Sequence, residues 1–255
     1  EQALLKSKDY KYIQGDIRDE KLLEKIFEEN NLEGVMNFAA LKSADESVLK
    51  PKLYQEVNCD AVQKLIDAAI KFGVKYFIQS SSAAVYGNSK DRYVDEKSPT
   101  NPVSPYGQSK LDAENLLKKY FDERKIKGTS LRYFNAAGAG EEELIEKSTA
   151  NLIPRVINEY LKGETPVIYG DDYPTEDGTC VRDYVHVSDI AQAHVLVAEK
   201  IRSEKIPSIL NLGTGKGHSV KEVLQIVKDK MKSNINPVIV ERRAGDPDFL
   251  VAKVD

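Results

Sequence analysis

The chain has 255 residues, which is enough for one large or two small domains and for a core that needs no disulfide or metal. Hydrophobic residues make up 41% and charged residues 31%, a balance typical of globular rather than disordered proteins. The 37 Lys and Arg against 41 Asp and Glu give a net charge of −4, which argues against a nucleic-acid-binding protein, because such proteins usually carry a basic surplus.

The cysteines and the hydropathy pattern indicate the compartment. Cys59 and Cys180 lie far apart and match no zinc spacing, so we expect reduced thiols, no metal site and a cytoplasmic protein. No apolar run approaches the roughly 18 residues of a membrane span, and the first residues do not resemble a signal peptide. We therefore expect no membrane partner.

Short β-rich apolar segments alternate along the chain with segments of helical periodicity, the pattern of βα units around a parallel sheet. The predicted strands cover residues 10–14, 35–39, 76–79, 129–134, 167–169, 181–187, 209–212 and 238–241. The predicted helices cover residues 19–29, 57–72, 106–124, 151–161, 188–200 and 220–231, and a turn-rich loop covers 87–104. The rhythm loosens after residue 134, which indicates a sheet-forming first half and a smaller mixed second half.

One group of residues suggests chemistry. Tyr106 and Lys110 are four residues apart, which puts them on one face of the predicted helix, and Ser82 follows a predicted strand at the end where open α/β sheets bind ligands. A free tyrosine has a pKa of ~10, so a tyrosine base near neutral pH needs a shift of about 3 units, or ~4 kcal/mol. A nearby ammonium group favours that shift because it stabilises the phenolate. A serine hydroxyl can hold the reacting oxygen.

Ser82, Tyr106 and Lys110 match the Ser/Thr and Tyr-x-x-x-Lys triad of the extended short-chain dehydrogenase/reductase family. Further segments narrow the resemblance, namely residues 15–17, 37–42, 80–87, 131–138 and, above all, the string DYPTEDGTCVRDYVHV at 172–187. Over essentially its entire length the chain resembles the UDP-glucose 4-epimerase branch of that family.

The resemblance implies an α/β fold with a Rossmann-type doubly wound parallel sheet and a smaller mixed α/β substrate domain. Residues 1–134 would form the NAD-binding domain, and residues 135–255 would mainly form the nucleotide-sugar domain, with some segments returning to the first. Relatives often form homodimers through two helices, for which residues 57–72 and 106–124 are the candidates.

The resemblance also implies the site residues. NAD would contact Asp16, Ile17, Phe38, Ala39, Ala40, Lys42, Asn58, Ser82, Tyr106, Lys110 and Phe134. A UDP-sugar would contact Ser82, Tyr106, Asn135, Asn151, Leu152, Val167, Tyr169, Arg182, Arg243 and Asp246. Tyr106 would take the proton of the sugar 4-hydroxyl while hydride passes to NAD, and the 4-keto sugar would turn before hydride returns to its other face. The substrate would be UDP-glucose or UDP-galactose.

The glycine-rich turn that opens a dinucleotide-binding fold is missing from this chain, which begins too late to contain it. We therefore expect the sequence to be a piece of a longer protein that binds NAD poorly as it stands, with first strands missing from the sheet. The glycine cluster at residues 213–217 has the wrong spacing and predicts a strand-to-helix turn instead.

Two alternatives remain open on the sequence. A nucleotide-sugar 4,6-dehydratase or decarboxylase shares the triad, although a dehydratase usually carries an acid pair beside its Ser/Thr, where this chain has Ala83 and Ala84. A catalytically inactive binding protein on the same scaffold is the second alternative.

Overall fold

The computed structural model describes residues 10–243 and 245–254. Its helices are α1 (Glu20–Glu29), α2 (Ala44–Leu49), α3 (Pro51–Gln55), α4 (Ala61–Lys71), α5 (Pro105–Asp122), α6 (Leu152–Lys162), α7 (Val187–Lys200) and α8 (Val220–Met231). Its strands are β1 (Gly34–Asn37), β2 (Tyr76–Ser82), β3 (Tyr93–Val94), β4 (Lys127–Tyr133), β5 (Asn135–Ala137), β6 (Val167–Tyr169), β7 (Val181–His186), β8 (Ile209–Leu212), β9 (Gly217–Ser219), β10 (Val238–Val240) and β11 (Phe249–Ala252).

The first sheet has the strand order β1-β2-β4-β8, and all of its neighbours are parallel. Strands β2 and β4 pair over their full length, from Tyr76 opposite Lys127 to Ser82 opposite Tyr133. Strand β8 comes from the second half of the chain and returns to this sheet. Because every strand runs the same way, the carboxyl ends of β1, β2 and β4 lie at one edge, where open α/β sheets bind ligands.

Helices α1, α4 and α5 cover one face of this sheet. Asp19 caps α1 by accepting the Leu22 amide, and the apolar stripe of the helix buries Leu23 and Phe27. These two side chains share a core with residues of α4, β2 and α5, including Val62, Ile66, Phe77 and Leu117. Packing of this face fixes where α5 starts relative to the end of β2.

The remaining strands form two smaller sheets. One has the order β3-β11-β7-β5, with β9 antiparallel to β7, and the other is the parallel pair β10-β6. Helices α6 and α8 pack on each other around Val156, Tyr160 and Leu224. No helix in the described ranges is both long and apolar enough to cross a membrane.

Most predicted elements are confirmed, and α8 and β8 have the predicted bounds. The strand predicted over residues 10–14 is wrong, because these residues are exposed on both sides and no described strand pairs with them. Strands β3, β5, β9 and β11 and helix α2 were not predicted. They are short and have too few residues to show a period.

The helix predicted to start at residue 57 starts earlier. Pro51 occupies the first turn of α3, where its missing N–H costs nothing, and a π-helical turn (Glu56–Asp60) joins α3 to α4. The wider turn directs Asn58 and Cys59 inward, and both are buried. Such turns are frequent at functional sites.

Candidate active site

Tyr106 lies in the first turn of α5. Ser104 caps this helix by accepting the Gly107 amide at 3.1 Å, and Pro105 occupies the first turn, so the helix start is fixed by the local sequence. Gly107 allows the helix to approach the segment after β2, because a Cβ at this position would lie 2.7 Å from the Ala84 carbonyl oxygen. The Tyr106 ring contacts the ring of Tyr54 edge to face, with 6.3 Å between the centroids.

Ser82 and Lys110 complete the predicted triad. Ser82 is the last residue of β2, and its hydroxyl oxygen accepts the Ala84 amide at 3.2 Å. Lys110 is only 3% exposed, and its Nζ donates to the Ser80 carbonyl oxygen at 3.0 Å. The end of β2 and the first two turns of α5 therefore bring a hydroxyl, a phenol and an ammonium group to one edge of the sheet.

Burial dominates the electrostatics of this group. It raises the pKa of the Tyr106 phenol, and the nearby Ser82 hydroxyl partly opposes this rise. Burial also lowers the pKa of Lys110 to about 8, and the charge of Glu114 opposes that shift. The protein alone thus holds the phenol protonated at neutral pH, and a phenolate requires additional positive charge close to Tyr106.

The segment after β1, residues 38–42, was predicted to line the cofactor path. Phe38 is 58% exposed and its ring lies 4.7 Å from that of His194. The Ala39 amide donates to the Asn37 side chain at 3.1 Å. Ala40, the next residue, is part-buried. Because its side chain is a methyl group, this part of the segment consists of backbone atoms and small apolar groups.

Asn58 holds that segment in place. Its Oδ1 accepts the Leu41 amide at 2.8 Å, and its Nδ2 donates to the Leu41 carbonyl at 3.0 Å and to the Ser109 hydroxyl at 3.0 Å. Ser109 in turn donates to the Tyr106 carbonyl at 2.8 Å. The side chain predicted to contact cofactor thus joins residues 38–42 to α5.

Lys42 and Asn151, predicted for cofactor and substrate respectively, meet at one carboxylate. Lys42 Nζ lies 2.6 Å from Glu146 Oε1, and Asn151 Nδ2 donates to Glu146 Oε2 at 2.8 Å. Lys42 and Asn151 lower the pKa of Glu146 against the effect of its burial. The two predicted sites are therefore adjacent.

The aromatic and charged substrate candidates form a second cluster. The Arg243 guanidinium lies 3.9 Å from the ring centroid of Tyr169, and Arg182 Nη2 lies 3.7 Å from Asp246 Oδ1. Arg243 Nη1 also lies 4.0 Å from Asp45 Oδ2 on α2, a helix that packs against α5. This contact connects the second cluster to the helix that carries Tyr106.

The other candidates are dispersed around these clusters. Asn135 is exposed on β5, Leu152 begins α6, and Val167 begins β6 beside Tyr169. Phe134 is only 6% exposed and packs in the core against Tyr86, with 6.5 Å between ring centroids.

Asp16 and Ile17 precede α1. Asp16 forms a bidentate ion pair with Arg18, which lowers the pKa of the carboxyl to about 2, and Arg18 also reaches Glu56. Ile17 lies between Asp16 and Arg18, in the turn that precedes α1.

The turn at residues 213–217 connects β8 to β9, and α8 follows β9 directly. The strand-to-helix turn predicted there is wrong, because the turn leads into the short strand β9, which pairs with β7, and α8 begins only after it. Its amides bind the fully buried carboxylate of Asp183, which accepts from the Thr214 amide and hydroxyl, the Gly215 amide and the Ala252 amide. The donors of this turn are therefore used by a side chain of the protein itself.

Sequence reasoning missed two buried groups near the triad. Glu114 pairs with Arg132, and Tyr133 shares a hydrogen bond of 2.7 Å with His194. Glu114 lies four residues after Lys110, and this helical spacing could have indicated that the two share a face. His194, the partner of Tyr133, lies 61 residues away, so no local pattern could have linked them.

Comparisons with known proteins identify the family of this chain. Residues 1–213 match the model of the NAD dependent epimerase/dehydratase family. UDP-glucose 4-epimerase of Halalkalibacterium halodurans is 40% identical over 251 residues, which cover 96% of this chain and 74% of that protein. The chain belongs to this family.

Solved structures of family members have the same fold. That of UDP-glucose 4-epimerase from Bifidobacterium longum in complex with NAD+ and UDP has a TM-score of 0.87 and 40% identity, covering 94% of this chain and 74% of its own. The UDP-Glc/GlcNAc 4-epimerase of Campylobacter jejuni has a TM-score of 0.83 and 34% identity, covering 98% and 78% respectively. The predicted Rossmann-type α/β fold is confirmed.

Proposed function

We propose that this chain carries the active site of an NAD-dependent epimerase that inverts carbon 4 of a UDP-hexose, UDP-glucose or UDP-galactose. The observation that carries the proposal is the placement of Ser82, Tyr106 and Lys110 at one sheet edge in a member of the epimerase/dehydratase family. At the position after Ser82, where a dehydratase would carry an acid, the buried side chain is Ala83.

The residues at this edge fit NAD. Lys110 has three N–H donors and spends one on the Ser80 carbonyl, so donors remain for ribose hydroxyls and for the phenol. Lys42 supplies a positive charge for the diphosphate, and exposed Phe38 supplies an apolar wall. Held by these residues, NAD would supply the hydride acceptor and donor for carbon 4 of the sugar, and its nicotinamide ring would supply the positive charge that a Tyr106 phenolate requires.

Tyr106 then acts as the base that takes the proton of the 4-hydroxyl and later gives it back. Ser82 orients the same oxygen and shares its proton, because its hydroxyl lies beside the phenol. Lys110 stabilises the phenolate with its charge and holds the end of β2 through Ser80. The base and its counter-charge thus lie in the first two turns of α5, and the hydroxyl that positions the substrate lies at the end of β2.

The second cluster suits the UDP part of the substrate. Arg182 and Arg243 can pair with diphosphate oxygens in place of Asp246 and Asp45, since guanidinium groups bind phosphate bidentately. The Tyr169 ring, which Arg243 covers in this structure, would be exposed for stacking on uracil once Arg243 turns to the diphosphate, and Asn151 offers an amide near Lys42. Firm contacts to UDP leave the sugar free to turn between the two hydride transfers.

Interconversion of UDP-glucose and UDP-galactose by the NAD-loaded protein tests this proposal. We expect turnover in the unaltered protein and a loss of about 100-fold or more in kcat for Tyr106→Phe, since general base catalysis contributes about 10²–10⁴. Tyr76→Phe, at the opposite end of β2 from Ser82, is the matched control and should keep full activity.

The assay also separates the alternatives. Release of a 4-keto-6-deoxy sugar would identify a dehydratase, and release of carbon dioxide would identify a decarboxylase. Either result would contradict epimerisation. NAD binding without turnover of any UDP-sugar would indicate a binding protein and would contradict the proposal.

We also propose a homodimer and a cytoplasmic location. Helices α4 and α5 lie side by side, joined by the Tyr120–Asp67 hydrogen bond of 2.6 Å, and could pair with the same helices of a second copy. Two buried, unpaired cysteines suit a reducing compartment. Light scattering after gel filtration tests the dimer, and a monomeric mass at micromolar concentration would refute it.

A further inference from the structure

A buried ion pair lies directly behind the proposed active site. Glu114 on α5 and Arg132 on β4 have side chains that are 2% and 3% exposed. Arg132 Nη2 donates to Glu114 Oε2 at 2.7 Å and Arg132 Nε to Oε1 at 3.0 Å, and the Ser81 hydroxyl donates to the same carboxylate. Burying two charges is costly unless hydrogen bonds satisfy both groups, and here they do.

The pair is anchored on its other side as well. Arg132 Nη1 donates to the Tyr86 hydroxyl oxygen at 2.8 Å, and the guanidinium lies 4.8 Å from the centroid of that ring. The Tyr86 hydroxyl in turn lies 2.7 Å from Asn211 Oδ1 on β8. One continuous network thus joins α5, β2, β4 and β8 beneath the sheet edge.

The network touches the catalytic face of α5. Tyr106, Lys110 and Glu114 follow each other at intervals of four residues, so they share one face of the helix. Lys110 Nζ contacts the Ser80 carbonyl of β2. The titratable groups of the neighbouring elements are Tyr54 of α3, which contacts Tyr106, and Arg132 and Tyr133 of β4, of which Arg132 pairs with Glu114. Glu114 is the charged group that acts on Lys110.

We propose that Glu114, held by Arg132, is a positioning residue that keeps Lys110 protonated and fixes the first turns of α5 against the end of β2. This inference rests on the proposed function for its catalytic consequence. Its electrostatic part, the effect of the Glu114 charge on Lys110, does not depend on that function.

The direction of the lysine shift supports the proposal. Burial lowers the pKa of Lys110 to about 8, and the charge of Glu114 is what opposes a larger fall. Loss of this charge lets Lys110 become neutral at a lower pH, where it no longer stabilises a phenolate on Tyr106.

Glu114→Gln tests the proposal, with the protein labelled at lysine ¹³Cε so that the pKa of buried Lys110 is read by NMR titration. We expect that pKa to fall by about one unit and kcat at pH 8 to fall about fivefold, because the protonated fraction of Lys110 would drop from about one half to about one tenth, with little change in KM for the UDP-sugar. Glu123→Gln, at the exposed end of the same helix, is the control and should change neither.

A second variant separates electrostatics from folding, because Glu114→Gln leaves Arg132 buried without a counter-charge. In Glu114→Gln/Arg132→Met both charges are gone, so we expect the melting temperature to recover while the Lys110 pKa and kcat stay low. Recovery of the pKa and kcat together with stability would overturn the proposal. An unaltered protein without turnover would refute the proposed function, and the lysine titration would still decide this inference.

Discussion

Burial of Lys110 destabilises the charged form of its side chain. Its pKa in the folded protein, about 8, lies below its ordinary value of 10.5, so the folded state resists the charged form that the proposed chemistry requires. Between these two pH values the unfolded chain binds more protons than the folded chain, and stability contributed by this group rises with pH.

Lys110→Met should therefore stabilise the fold near pH 7 by up to about 3 kcal/mol and abolish turnover. The gain should shrink as the pH rises from 8 to 10.5, because the lysine becomes neutral in both states. Urea unfolding at pH 7 and at pH 10.5 measures the difference. Lys119→Met, exposed on the same helix, should change stability by less than about 0.5 kcal/mol at either pH, and an equal gain in both variants would contradict the argument.

At the scale of elements, the contact between α5 and the segment after β2 depends on a missing side chain. Gly107→Ala would raise helix propensity by about 1 kcal/mol, but its Cβ would lie 2.7 Å from the backbone oxygen of Ala84. Backbone cannot give way as a flexible side chain does, so we expect a net loss of about 1–3 kcal/mol and a displaced Tyr106.

Thermal unfolding and kcat measure this loss in Gly107→Ala. Gln108→Ala places an alanine at the neighbouring exposed position, where a Cβ is already present and nothing clashes, and it should unfold within a few degrees of the unaltered protein. Unchanged activity in Gly107→Ala would show that α5 can move without disturbing the site.

The longer elements were predictable and the shorter ones were not, for physical reasons. Helix α8 has a full apolar stripe and a capping serine, Ser219, three residues before Glu222, so its sequence alone marks both its period and its start. Residues 10–14 have the composition of a strand, but a strand also needs a partner, and that requirement does not show in a local pattern. Strand β11 is defined by pairing with β7 and β3, more than 60 residues distant.

Some residues of the site could also be predicted from the sequence and others could not. Tyr106 and Lys110 are linked by helical spacing and could be recognised together. The Arg132 partner of Glu114 lies on another element, 18 residues away, and its charge gave no sign of burial. Side chains that hold the site residues in place are positioned by tertiary packing, and local patterns in a single sequence do not show which residues pack together.

At the scale of the whole molecule, Asp183 joins the two larger sheets. It lies on β7, and it accepts hydrogen bonds from the turn after β8 and from Ala252 on β11. Asp183→Asn would turn N–H groups toward these donors, so we expect a loss of about 2–4 kcal/mol in unfolding free energy. Urea titration measures it, with exposed Asp91→Asn as the control, and equal midpoints for the two variants would contradict this role.

The amide of Asn58 has a consequence for recognition. Because it binds both the N–H and the C=O of Leu41, residues 38–42 are held in place before a ligand binds, although they have no regular structure of their own. Because the segment is already ordered, binding of a dinucleotide does not lose the conformational entropy of ordering a loop, and the binding free energy is more favourable by that amount. Association should accordingly be governed by diffusion and charge steering rather than by a slow rearrangement.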